Sequence, residues 1–405
     1  MNSDLGAPPS LAEVPGPVLT GKKPRSWWAL LWKGPAGFLK FFVGMIFCQT
    51  LLGSILIVGW TYRIMQRVIY KRWWSQSPLR RSGLSFQEYL GQSPQTRLHL
   101  HWPNWILQQN FLEVIRGRPI KAFVQSLWLN FKVGFRGIVN TWVLTLPGCV
   151  LMLFSWYDGW NNSFNKGYEQ APVGPLTGIL GLILFVLPML YIPMAQARQA
   201  ATGEWRSFYQ FRLVRRLVLR RWPACLGLAA LYALVSLSIL ILRVLPQYFP
   251  QMGHQTVEAL AALPKAQLRN NLNGYFFWCA TIVLPAFVAL RVLAARIYAT
   301  GLLSAVEHGA IPPDWLASSE RMELERLNLL QVNTAPKRHL LLRMVGDTVN
   351  WIVWGIAAVS MFLVWFAFVA QIYVAQFLNY IPGIGWLNQP LVQLPFFHFI
   401  PAGLK

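Results

Sequence analysis

From residue 41 onward the chain repeatedly runs for about twenty residues without a charge, and its cations crowd into alternate gaps between those runs. The uncharged runs cover 41–62, 137–157, 171–197, 222–242 and 272–290, followed by a longer one over 348–404. A bilayer core of roughly 30 Å takes about 20 helical residues to cross, so each of the first five fits one crossing. The sixth run is too long for one helix. Pro382, Gly383, Gly385, Pro390, Pro395 and Pro401 interrupt its second half, and its span is expected over 351–373. The fold class expected is all-α: a polytopic integral membrane protein with about six transmembrane helices. Composition agrees, since 55% hydrophobic and 12% charged residues leave too little charge to cover a soluble globule of 405 residues.

Orientation follows from the positive loops, which stay on the cytoplasmic side. Residues 63–136 hold twelve Lys and Arg, 158–170 one, 198–221 seven, 243–271 three, 291–347 seven and the tail one. The first, third and fifth gaps are therefore expected in the cytoplasm. The start of the chain conflicts with this, because the tail before the first run carries five cations (Lys22, Lys23, Arg25, Lys33, Lys40) yet strict alternation places it outside. Either the long first loop outweighs the tail, or the first segment dips in at Gly44 and Gly53 and returns to the same side. The expected organisation is a tail and interfacial segment over 1–40 with Trp27, Trp28 and Trp32, and a first membrane segment over 41–62. A basic cytoplasmic loop over 63–136, a helical membrane core over 137–300, a cytoplasmic loop over 301–347 and a last span with an uncharged tail over 348–405 complete it.

A net charge of +22 raises nucleic-acid binding, but the positives sit at span boundaries and no nucleic-acid-binding motif accompanies them. No metalloprotease, paired-cysteine, serine-hydrolase or phosphate-loop motif is present, so no catalytic residue, cofactor or metal site is expected and an enzyme is not expected. His99 with His101, and Glu307-His308 with Asp314, read as polar loop residues. Cys48, Cys149, Cys225 and Cys279 fall within the runs as small packing residues. Asn161-Asn162-Ser163 matches a glycosylation acceptor in a loop placed outside. Asn140 and Thr145 read as helix-packing residues, and Gly174, Gly178 and Gly181 as a small surface for close helix contact; Pro188 and Pro193 point to kinks. The first five runs lack ionisable residues, Arg291 standing at a boundary, which argues against ion-coupled transport. Residues 204–221 read as an amphipathic helix in an anionic interface, with Arg212, Arg215, Arg216 and Arg220 binding anionic lipid headgroups.

The stretch Trp102-Pro103-Asn104-Trp105, then residues 137–157, then 191–216 with Ala197-Arg198, a small-residue turn to Gly203 and Phe208-Tyr-Gln-Phe211-Arg212 resembles the multi-pass bacterial membrane family known as domain of unknown function 4013. The similarity covers roughly residues 40–300; Asn104 stands where that pattern favours an acid, and the uncharged tail departs from it. The resemblance implies membrane location and helical architecture, and no activity. The function expected is a non-catalytic scaffold, assembly or lipid-organising role in a bacterial inner membrane. The alternative is a transporter or permease-like component for an uncharged or weakly polar solute. The partners expected are membrane lipids and a membrane protein docked through the 63–136 loop.

Overall fold

The computed structural model describes residues 33–81, 83, 85–92, 119–155, 173–247, 264–330, 340–377, 391 and 394–396. The segments carrying Trp27, His99, His101, Trp102 to Trp105, the 161–163 triplet and Pro382 to Pro390 lie outside the described residues. The α-helices are α1 Lys33–Phe47, α2 Leu51–Gln76, α3 Phe86–Gln92, α4 Pro119–Phe154 and α5 Val173–Thr202. They continue with α6 Phe211–Arg220, α7 Trp222–Val244, α8 Lys265–Glu307, α9 Ser318–Arg326 and α10 Leu340–Phe377. Among the described residues there is no strand.

Among the described residues, four stretches are long and apolar enough to cross a membrane: Leu127–Met152, Leu176–Thr202, Trp222–Leu242 and Lys265–Glu307. They match the second to fifth expected spans. The last expected span lies in α10, whose stretch Trp351–Ala367 is apolar among the described side chains. The helices run past the ends of the uncharged runs: α2 continues to Gln76, and α8 continues from the fifth run through Arg291 to Glu307.

The C-terminal half of α5 is the hub, packed by α4, α2, α8 and α7, with α10 lying mainly on α7. Its sequence explains the position. Ala195, Ala197, Ala200 and Ala201 present no bulk, so neighbours close on every side and residues 192–202 are all buried. Gly148 of α4 meets Gly181 of α5 so closely that a Cβ on Gly181 would stand 3.0 Å from the Gly148 carbonyl oxygen. Gly59 of α2 and Gly134 of α4 form a second such crossing: a Cβ on Gly59 would fall 1.9 Å from the Asn130 carbonyl oxygen. Away from the hub the surface is apolar. Leu176, Ile179 and Leu187 of α5, Val143 and Val150 of α4, Trp278 and Ile282 of α8, and Trp351 and Phe362 of α10 are all exposed. Water does not favour a surface with so many exposed large hydrophobics, whereas a lipid belt covers it.

The expected first span is two helices, not one. α1 ends at Phe47, Cys48 to Thr50 form a turn, and the Thr50 hydroxyl oxygen accepts from the Gly53 amide at 3.0 Å to start α2. α2 runs parallel to α8, since Tyr62 lies beside Arg291 and the Trp73 indole donates to the Ala299 carbonyl at 3.3 Å. Thr50 is twelve residues before Tyr62, as Cys279 is before Arg291, so the turn lies level with Cys279. Gly44, however, packs on Leu284, above that level, and Lys40 lies within electrostatic reach of Arg67. α1 packs on α8 through Gly44 and through Phe42, whose ring centre lies 6.2 Å from that of Phe277.

Candidate functional site

Arg63, Arg67, Lys71 and Arg72 of α2, Lys132 and Arg136 of α4, the cations of α6, and Arg296 of α8 gather at the end of the bundle where α5 finishes. Gly203, with φ of +74°, lets the chain leave α5 there, its amide donating to the Gln199 carbonyl at 2.9 Å. The turn Trp205–Tyr209 and then α6 fold back over the bundle.

Beneath this cationic surface lies a buried polar layer. Arg198 of α5 is fully buried and pairs with Glu320 of α9, also fully buried, at 3.3 Å; it donates as well to the Trp315 carbonyl at 3.1 Å. Glu320 also accepts from the Tyr298 hydroxyl of α8 and from the Ala317 amide, the latter at 3.2 Å. One helical turn on, Glu323 accepts from the Tyr89 hydroxyl of α3 at 2.6 Å and pairs with Arg326 at 3.8 Å. The short helix α9 thus directs Glu320, Glu323, Leu324 and Leu327 inward and joins α3, α5 and α8. Burial, and then the neighbouring Glu323 carboxylate, push the Tyr89 hydroxyl well above its ordinary pKa. The same two causes, in the same order, raise Tyr70, whose hydroxyl donates to the Ala201 carbonyl at 2.9 Å.

Deeper still, Arg291 of α8 is 1% exposed. It donates to the Gln196 side-chain oxygen and to the Leu391 carbonyl and lies 5.1 Å from the Phe287 ring centre. The Gln196 amide in turn donates to the Thr141 hydroxyl at 2.8 Å, and Asn140 joins Gln199 at 3.2 Å and the Tyr209 hydroxyl at 3.0 Å. On α2 this level is the last before the cations begin at Arg63; on α7 it is already ten residues in, at Tyr232.

The expectation that no ionisable residue sits inside the span helices therefore fails for Arg198 and Arg291. An uncharged-run reading ends a span at the first cation, but a helix continues through a cation whose hydrogen-bond partners come from neighbouring helices. The acids of α9 were missed for a related reason. Their i, i+3 spacing looks like a solvated charged face, and the signal was that Leu324 and Leu327 extend that same face.

The expected headgroup-binding arginines lie on α6, and all four are exposed. Arg216 stacks 4.3 Å from the Trp315 ring centre and donates to the Ala310 carbonyl at 3.0 Å; Arg220 donates to the Ser304 hydroxyl at 3.4 Å. Arg212 and Arg215 carry no hydrogen bond or ion pair among the described residues. The apolar face of α6, Leu213, Val214 and Leu217, is buried against the bundle, so the helix is held by protein rather than by its own insertion into lipid. Gly181 lies at the α4 crossing and Gly178 faces Ser155, just past the end of α4, where a Cβ would meet its hydroxyl at 2.8 Å; Gly174 is in the first turn of α5. Asn140 bridges α4 to α5, while the Thr145 hydroxyl donates within α4 to the Thr141 carbonyl at 2.9 Å. No family model, curated protein or solved structure matches the chain.

Proposed function

We propose that this chain is a non-catalytic integral protein of a bacterial inner membrane that scaffolds an assembly or organises anionic lipid. In this reading α4, α5, α7, α8 and α10 cross the bilayer, and the α1–α2 hairpin enters from the cytoplasmic side and returns. Membership of the family known as domain of unknown function 4013 belongs to the same proposal and rests on residues 191–216. The observation that carries the reading is the meeting of the basic segments at one end of an apolar belt. From the turn to Tyr62, α2 rises about 18 Å, short of a bilayer core of roughly 30 Å. Five crossings and a hairpin put the five cations before residue 41 on the same side as the three richest gaps, which six crossings do not.

Reporter fusions test it. Those at the N-terminus, Gly203 and Ser318 should read cytoplasmic, and those at Ser163 and Gly253 external. An external N-terminal reporter would sink the hairpin and restore a sixth crossing.

Arg291 favours a second reading, an anion permease, because a buried guanidinium within a span helix is where an anion path would place its charge. Its two terminal nitrogens already donate to Gln196 and Leu391, which favours the scaffold. Purified protein in liposomes should show no gradient-driven anion uptake; uptake abolished by Arg291→Gln would promote the permease.

A further inference from the structure

Between α2 and α8 runs an open groove of about 1030 Å³, counting its mouth, into which Lys71, Arg72 and Arg296 project. All three cations are exposed, and none of their side chains makes a hydrogen bond or ion pair among the described residues. Val68 and Ile297, half-buried, give the groove an apolar side; Thr300 adds a hydroxyl, and no carboxylate among the described residues lines it. Two helices thus bring three positive charges together over a strip of hydrocarbon, with no described acid beside them to neutralise them.

The height of the groove matters as much as its charge. Arg296 and Thr300 lie five and nine residues beyond Arg291 along α8, roughly 7 to 14 Å further out of the apolar slab. That is headgroup depth on the basic side of the molecule. A ligand matching this site has a phosphate for the cations and an acyl chain for Val68, Ile297 and the belt below.

We propose that this groove binds the phosphate of an anionic phospholipid from the cytoplasmic leaflet. The proposal rests on the membrane reading above and adds to it one discrete site, separate from the arginines of α6. Each cation near an anionic surface is worth about fivefold in affinity, so removing three costs on the order of a hundredfold.

The test uses the full chain in mild detergent, with phosphatidylglycerol binding followed by native mass spectrometry. Phosphatidylglycerol should bind as a retained adduct and phosphatidylcholine should not. Lys71→Gln, Arg72→Gln and Arg296→Gln together should weaken retention on the order of a hundredfold, and added salt should weaken it in the wild type. A charge-matched triple, Lys265→Gln, Arg269→Gln and Arg321→Gln, should retain the lipid, and both triples should melt as the wild type does. Undiminished retention by the groove triple, equal loss in both triples, or displacement of the lipid by inorganic phosphate would each overturn the site. Alkaline carbonate extraction separates the two proposals. A chain that stays in the membrane while the groove fails leaves the membrane reading standing, whereas a chain released from the membrane refutes both.

Discussion

Arg198 and Glu320 illustrate how a buried ion pair behaves in a chain that carries 36 basic and 14 acidic residues. Neither is solvent-exposed, so removing one partner strands the other without water, at a cost of about 3–5 kcal/mol. Glu320→Gln should therefore lower thermal stability in detergent far more than the double variant Arg198→Met with Glu320→Leu, which leaves no orphaned charge. Equal losses in the two variants would show that the hydrogen bonds from Tyr298 and Ala317, not the charge, hold α9 in place. Tyr89 supplies a pH test outside the membrane helices. Its folded pKa lies above the unfolded value of about 10, so its contribution is complete below about pH 10 and is lost as pH rises further. Above that pH the wild type should lose stability more steeply than Tyr89→Phe, by up to about 1.4 kcal/mol per pH unit, in melts followed from about pH 9 to 11. Little of this was legible beforehand. Arginine in sequence signals a loop, and only neighbours brought from more than a hundred residues away turn Arg198 into an interior residue.

At the scale of elements, helix packing was the more legible part. Gly181 was singled out from its spacing, and it does sit at a helix crossing. The tighter crossing, Gly59 with Gly134, is not marked in the sequence, because neither glycine has a second small residue four positions away. Gly59→Ala should force α2 and α4 apart and cost about 1–3 kcal/mol, the usual range for overpacking. Gly227→Ala on α7, where a Cβ meets nothing within 4 Å, should be neutral or stabilising by up to about 1 kcal/mol. Paired melting curves decide this, and a neutral Gly59→Ala would mean the two helices have room to separate. The hairpin was half legible. A charge-free hairpin and a charge-free span have the same composition, so hydropathy cannot separate them; the turn ahead of Thr50, whose hydroxyl caps Gly53, is what divides the first run into two helices.

For the whole molecule, the alternation of cations carries the proposed sidedness, because membrane sidedness depends on summed charge and not on any single contact. The described basic segments do converge on one end. If the hairpin does not cross, α4 is the first helix to commit the chain to a side. Deleting residues 1–32 should then leave reporters at Ser163 and Gly203 unchanged in sidedness, and inversion of either would return that decision to the tail. The hairpin also bears on how the protein is made. Trp73 reaches its partner Ala299 across 226 residues of chain, and Tyr89 reaches Glu323 across 234. At a synthesis rate of roughly 5–20 residues per second, the sides of α1 and α2 that face α8 wait on the order of tens of seconds for their partner. Through that interval those sides must be sheltered by lipid or by the insertion machinery. Assembly of this bundle is therefore completed from its C-terminal half, and a ribosome stalled before α8 leaves α2 packed on α4 and α5 alone, and α1 without Leu284 beneath Gly44.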